Sequence, residues 1–316
     1  MEPSSNPLQL AGAIFAALLG LVFGSFLNVV LTRLPEGESI ATPRSHCRNC
    51  PHILAWWENL PLISWIILRG RCRQCHTSIS PRYPLVELAV AILWTACWIR
   101  FGQPLFTGDF GSRFHGCWGE PVAPHNGFIY YLASLIGYAI LCWLLAALAA
   151  LDAEHFWLPD WLTFPGIALG LASTLLRAWS GHIQYDPHLL VIAAHSTLAI
   201  LASAAIILII RLAYWLIRRK EGMGLGDAKL MAMLGAWLSF RAALESFALA
   251  VFAATLTALV WLAIRSLRRR PSEDTAQDKA WAQMPLPLGT FLCLAALSEV
   301  FHPTWLYTWW SALFLP

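Results

Sequence analysis

In this chain of 316 residues, 58% of residues are hydrophobic and only 12% are charged, with a mean hydropathy of +0.59. Soluble globular domains carry about 25% charged residues, so the composition excludes an ordinary soluble enzyme and points to a polytopic membrane protein. A formal net charge of +3 is too small to argue for nucleic acid; the information lies in where the basic residues sit.

The N-terminus, Met1-Glu2-Pro3-Ser4-Ser5, has no basic flank, and the apolar stretch after it is long enough to span and remain, so insertion through uncleaved spans is expected. Leu10 to Leu31 is the first candidate span, interrupted near its end by Gly24-Ser25-Phe26-Leu27-Asn28. An Asn at this depth is expected to hydrogen-bond a neighbouring helix. The next apolar run is Tyr83 to Phe101, and the polar loop between carries Arg33, Arg44, Arg48, Arg69, Arg71, Arg73 and Arg82. That density of cations places the loop in the cytoplasm.

Within the loop stand Cys47-Arg48-Asn49-Cys50 and Cys72-Arg73-Gln74-Cys75, two C-x-x-C knuckles with 21 residues between them. Their spacing is close to that of a four-thiolate zinc site, and a reducing cytoplasm disfavours structural disulfides. A closed Cys47, Cys50, Cys72, Cys75 site leaves no open coordination position. Zinc there is expected to be structural, folding a short loop that has no core of its own. Cys97, Cys117, Cys142 and Cys293 are scattered and read as inert, and His46, His52 and His76 read as solvated neighbours of the knuckles.

Further candidate spans are Phe128 to Leu151, Leu158 to Leu176, Leu189 to Ile217, Ala228 to Phe240, Ala243 to Ile264 and Pro285 to Phe301. The total is about eight at roughly 20 residues per crossing. Alternating sides from a cytoplasmic first loop puts Arg218-Arg219-Lys220 and Arg268-Arg269-Arg270 on the cytoplasmic side, with segments 102–127 and 177–188 outside. The same alternation brings Asp152, which closes the third span, and Asp227, which opens the sixth, to one membrane face.

Gly222-Met223-Gly224-Leu225-Gly226-Asp227-Ala228-Lys229 precedes an apolar run. Three alternate glycines do not suit a helix interior; they permit close backbone approach by another helix or by a substrate strand. A carboxylate at a bilayer edge is a functional-site hypothesis, weighed against a solvated helix-end acid favoured by the helix dipole. Two acids at one depth suit acid–base hydrolysis, one ionised to take a proton from water and one protonated to donate. Asp160 is expected to cap the following span, and Lys229 either tunes the nearby acid or snorkels. No Ser-His-Asp or Cys-His constellation competes clearly, and His-Glu-x-x-His is absent.

These residues resemble the type IV prepilin peptidases of the GxGD aspartyl protease group. The resemblance rests on Gly24-Ser25-Phe26-Leu27-Asn28 with Arg33-Leu34-Pro35, on both cysteine knuckles, and on Glu58-Asn59-Leu60-Pro61 leading to Arg69-Gly70-Arg71-Cys72. It continues through Ser80-Pro81-Arg82-Tyr83-Pro84, Asp152-Ala153-Glu154-His155, Leu158-Pro159-Asp160 and the glycine-rich run to Lys229. It implies a catalytic pair Asp152 and Asp227, cleavage at the cytoplasmic face of a bacterial inner membrane, and prepilin or type II secretion pseudopilin substrates. The glycines Gly222, Gly224 and Gly226, with Lys229, would serve substrate approach. Members with the cysteine loop also methylate the new pilin N-terminus with S-adenosylmethionine, which implies a methyl-donor region at Gly70 with Glu58 and Asn59. No Rossmann fingerprint supports that activity independently. The sequence departs from the family in segment 102–127, around Trp179 to His188, and at Pro285-Leu286-Pro287-Leu288-Gly289, which stands where Pro-Phe-Gly is usual.

The expected architecture is an all-α polytopic membrane protein. Segment 1–35 is the first span with its GSFLN segment, 36–82 a cytoplasmic zinc-binding loop domain, and 83–316 a membrane protease domain. A non-catalytic membrane scaffold docking a secretion-machine partner through the zinc loop, and a proton-carrying transporter, are the competing readings. Nothing in the sequence sets an oligomeric state.

Overall fold

The computed structural model describes residues 7–107, 126–181, 189–219, 224–268 and 287–302. Several sequence expectations lie outside these residues: Gly222, the N-terminal Met1-Glu2-Pro3-Ser4-Ser5, Cys117 with most of 102–127, the link 182–188, the cations Lys220, Arg269 and Arg270, and Pro285-Leu286. Among the described residues there is no strand, and backbone pairing outside helices includes two isolated bridges, His46 with Ile53 and Arg71 with Ser78.

The helices are α1 Pro7–Arg33, α2 Ile63–Ile67, α3 Arg82–Cys97, α4 Gln103–Thr107, α5 Gly127–His155, α6 Asp160–Gly181, α7 Leu189–Arg218, α8 Leu225–Leu238, α9 Phe240–Arg268 and α10 Leu288–Phe301. A π turn at Trp98–Gly102 joins α3 to α4. Among the described residues, six helical stretches are long and apolar enough to cross a bilayer: Pro7–Arg33, Arg82–Leu105, Gly127–His155, Asp160–Ser180, Leu189–Arg218 and Phe240–Ile264. The protein is therefore a multi-pass membrane protein. The remaining two expected spans are α8 and α10, each of 14 residues. At 1.5 Å per residue each is about 21 Å long, short of a hydrocarbon core of about 30 Å.

Two compact units divide the chain: residues 1–147 with 165–197, and residues 148–164 with 198–316. In the first, α1 and α3 touch backbone to backbone. A Cβ on Gly20 would lie 2.6 Å from the Cα of Ala91, and one on Gly24 would lie 2.6 Å from the Cα of Glu87. This is the small-x-x-x-small packing that lets membrane helices meet without a hydrophobic driving force. The close approach carries the polar end of α1 onto α3, where the Asn28 side-chain amide donates to the Tyr83 carbonyl at 2.9 Å, as expected of an Asn in a span. Arg33, buried at the end of α1, donates to the carbonyls of Ser39 and Pro43 and so fixes the start of the loop. Cys97 and Cys142, expected to be scattered, meet inside this unit with sulfurs 3.7 Å apart.

In the second unit, α8 is wrapped on every side. Ala228 and every residue from Leu230 to Leu238 are buried, whereas α7 and α9 leave Leu208, Ile209, Leu212, Phe252, Leu256 and Leu259 uncovered, as lipid-facing helices do. Gly235 sits against the Ala199 carbonyl of α7, where a Cβ would come within 2.6 Å of that oxygen. A short, fully enclosed helix between long lipid-facing ones can carry an acid at its end without exposing it to acyl chains.

Candidate active site and metal centre

Asp152 lies in the last turn of α5 and is buried, only 6% exposed. Helix α5 stops just beyond it because Phe156 adopts φ +50 and returns its N–H to the Asp152 carbonyl at 2.9 Å, a left-handed C-terminal turn. The Asp152 carboxylate is held from α10. The backbone N–H of Thr290 donates to Oδ2 at 2.7 Å, the Thr290 hydroxyl lies 3.1 Å from the same oxygen, and the Gly289 amide adds a further hydrogen bond. Pro287, the residue that begins α10, offers no capping side chain, so a carboxylate from another helix satisfies the donors there. Gly289 is required for this. A Cβ at that position would stand 2.9 Å from the Asp152 carboxylate.

Asp227 is the third residue of α8 and half-buried. Its carboxylate accepts from the backbone of Gly224, the residue that begins the helix, which is the reach-back half of a capping box. The Asp152 charge acts on Asp227, and both act on the Cys293 thiol of α10. The two acids singled out in the sequence thus share one site in the second unit. Gly224 has no contact that a side chain would violate, while the space beside Gly226 is taken by Leu158, 3.1 Å from where a Cβ would be. Lys229 forms an ion pair with Asp160 and lies 5.5 Å over the Phe164 ring. Asp160, expected as a cap ahead of the helix, is instead the first residue of α6 and uses its carboxylate on Lys229.

Gly289 and Thr290 are the residues that the sequence reading did not bring to the site. A signal is present in the sequence: a glycine inside the first turn of an apolar helix weakens it, and Pro287-Leu288-Gly289 departs from the family's Pro-Phe-Gly pattern.

The second centre is in the first unit. The two cysteine knuckles are built alike: the Cys47 N–H donates to the His52 carbonyl and the Cys72 N–H to the Thr77 carbonyl, each at 2.9 Å, and each knuckle is closed by one bridge, His46 with Ile53 and Arg71 with Ser78. The pair is a local repeat offset by 25 positions, from Cys47 to Cys72. The four sulfurs lie within 4.8 Å of one another, with Cys47 to Cys75 at 3.7 Å and Cys50 to Cys72 at 4.0 Å. A tetrahedron of thiolates at a metal–sulfur distance of about 2.3 Å has edges of about 3.8 Å, so the donor set fits a zinc ion. The Thr77 hydroxyl stands 3.3 Å from the Cys75 sulfur and so borders the cluster.

Beside the knuckles is a cavity of about 630 Å³ whose lining includes Asn28, Arg33, Glu58, Asn59, Trp65 and Glu87, within the size range of small-ligand sites. Glu58 is buried. Burial alone would raise its carboxyl, but the Ala55 amide, the His52 side chain at 3.0 Å and the Arg73 charge outweigh that and hold it below the usual carboxylate range. Glu87 is also buried, and it accepts the Leu62 N–H at 2.8 Å. Gly70 does not line the cavity, but it has φ +65, and a Cβ there would be 2.9 Å from the Trp65 ring, which does.

The described residues form a multi-pass helical protein with two acids near the ends of two helices and a four-cysteine cluster, able to hold a metal, on its first long loop. Two family models match the chain, the bacterial peptidase A24 N-terminal domain over residues 18–101 and the type IV leader peptidase family over residues 139–261. The chain is 34% identical to a prepilin leader peptidase/N-methyltransferase of Myxococcus xanthus over 276 residues, covering 86% of this chain and 70% of the relative. It is 32% identical to one of Stutzerimonas stutzeri, covering 92% and 90%, and 31% identical to one of Pseudomonas aeruginosa, covering 92% and 90%. No solved structure matches. The chain belongs to the type IV leader peptidase family.

Proposed function

We propose that this protein is a membrane aspartic endopeptidase that removes the leader peptide of type IV prepilins or type II secretion pseudopilins at the cytoplasmic face of a bacterial inner membrane, and then methylates the new N-terminus. The observation that carries the reading is the pairing of Asp152 and Asp227 in one unit, each carboxylate accepting from the backbone at the start of a helix and the Asp152 charge acting on Asp227. One carboxylate takes a proton from water while the resulting hydroxide bonds to the peptide carbonyl carbon; the other gives its proton to the carbonyl oxygen. Collapse breaks the C–N bond, the departing amine takes the proton first drawn from water, and the second acid recovers its own. No acyl-enzyme forms. Gly222 and Gly224 would leave room for the substrate backbone. Gly226 spends its missing side chain on Leu158, and Lys229 holds Asp160, so their part in substrate approach would be indirect.

Zinc held by Cys47, Cys50, Cys72 and Cys75 would be structural, because four thiolates complete its coordination. For methylation, the cavity beside the knuckles suits S-adenosylmethionine: it has the volume, and the Glu58 carboxylate with the Trp65 indole offers a cationic group both charge and a π face. Bound there, S-adenosylmethionine supplies a methyl group already activated for transfer. Glu58 and Asn59 would line its site, and Gly70 would act by leaving Trp65 in place. The cytoplasmic sidedness is supported by the arginine density of 33–82.

The experiment is purified protein in detergent with a synthetic pilin leader peptide, read by mass spectrometry for cleavage and for an added methyl group. Cleavage at the edge of the apolar segment, followed by a gain of one methyl when S-adenosylmethionine is present, is expected. Intact peptide in both conditions would leave the scaffold reading standing and remove this one.

A further inference from the structure

Two carboxylates that divide the work of hydrolysis must differ in something, because identical environments would give neither a defined role. The donors around them do differ. Asp152 receives the Thr290 N–H at 2.7 Å and the Gly289 amide, both fixed in direction by the first turn of α10. The Thr290 hydroxyl, 3.1 Å from Oδ2, lies also 3.1 Å from the Ala149 carbonyl. Its single proton turns to the carboxylate when that oxygen is charged, and to the carbonyl when it is not. Backbone amides cannot turn. They face the carboxylate in either state and stabilise the anion more strongly than the neutral acid. Among the described residues, the backbone donor to Asp227 is Gly224.

Resting on the reading of Asp152 and Asp227 as the hydrolytic pair, we infer that Asp152 is the ionised member that takes the proton from water, that Asp227 is the protonated member that donates to the carbonyl oxygen, and that Thr290 is the positioning residue that fixes this division. In the forward step a water O–H bond breaks with its proton passing to Asp152, the water oxygen bonds to the carbonyl carbon, and the Asp227 proton moves to the carbonyl oxygen. The pair ends with its proton exchanged between members, and expulsion of the amine reverses the exchange. Among the described residues, the titratable groups facing Asp152 are Asp227 from α8 and Cys293 from α10. Lys229 is engaged with Asp160.

The test is the pH dependence of kcat/KM for leader-peptide cleavage by wild type, Thr290→Val and Thr290→Ser. Valine keeps the branched shape and the N–H but loses the hydroxyl; serine keeps the hydroxyl. Removing a donor from the anion raises the apparent pKa of whichever proton loss belongs to Asp152. If Asp152 ionises first, Thr290→Val shifts the acidic limb upward by about one pH unit, the scale of one hydrogen bond to a charge, and leaves the alkaline limb in place, while Thr290→Ser follows wild type. A shift of the alkaline limb instead would reverse the two roles and overturn the assignment. Uniform loss of rate with both limbs unmoved, or no change, would reduce Thr290 to packing and overturn it equally. Thr290→Ala, which also lacks the hydroxyl, gives the same readings should the valine variant fail to insert. Cleavage surviving in Asp152→Asn would strike the hydrolytic pair itself, an outcome separate from either limb shift.

Discussion

The Thr290 amide and the Asp152 carboxylate, 2.7 Å apart, tie the end of α5 to the beginning of α10 through a single oxygen. The contact gives a 14-residue helix its missing cap and gives a buried acid its hydrogen-bond donors. Chain segments 138 positions apart thereby become one site.

Gly289→Ala tests how closely that contact is built. The added methyl would stand 2.9 Å from the carboxylate, so either α10 or Asp152 must move. Misplacement of a reacting group by about 1 Å is worth about 10²-fold in rate, and cleavage should fall by that order while the variant remains inserted and zinc-loaded. Wild-type rates in Gly289→Ala would mean that α10 does not hold the acid in the working enzyme.

The four clustered cysteines predict about one zinc per chain, from the stoichiometry of a four-thiolate site. Cys72→Ser should lower the zinc content, and the loop from Cys47 to Cys75 should become sensitive to protease after chelation. A loop equally resistant with and without chelator would contradict a structural metal.

Much of this was legible in the sequence, for different reasons in different places. The cysteine knuckles declare themselves by residue type and spacing, as a thiolate metal site would require, and in the structure they form one repeated unit. Asp152 and Asp227 were visible because acids are costly at the edge of an apolar run. The span count was less legible: hydropathy marks α8 and α10 as apolar, but it cannot tell a helix wrapped by neighbours from one wrapped by lipid. Thr290 leaves no signal in the sequence, and Gly289 appears there only within a departure from the family's Pro-Phe-Gly pattern. Their role depends on a partner far along the chain, and a threonine in an apolar helix carries no sign of which carboxylate it meets. Lys229 and Asp160 belong to the same class, since a pair 69 positions apart leaves no periodic trace.

Gly70 separates the two proposed activities. With φ +65 and the Trp65 ring 2.9 Å from where a Cβ would stand, Gly70→Glu strains the backbone and displaces an aromatic wall of the cavity. Pilin from cells carrying this variant should be cleaved but unmethylated by mass. The purified variant should also lose binding of S-adenosylhomocysteine, measured calorimetrically with no substrate turnover. Loss of both activities in a folded, zinc-loaded variant would show that the sites are not separable, and full methylation would exclude Gly70 from the methyl-donor region.

The central claim is that Asp152 and Asp227 together perform hydrolysis, and the most direct measurement replaces each by its amide. Asn keeps shape and hydrogen-bonding volume while removing the exchangeable proton, so Asp152→Asn and Asp227→Asn should each remain inserted and zinc-loaded yet lose leader-peptide cleavage by 10²-fold at least, about the worth of one general acid or base. Mass spectrometry of the peptide after incubation with each variant reads the result. Uncleaved leader peptide with both variants is what the two-carboxylate account predicts; near-normal cleavage with either one would contradict it.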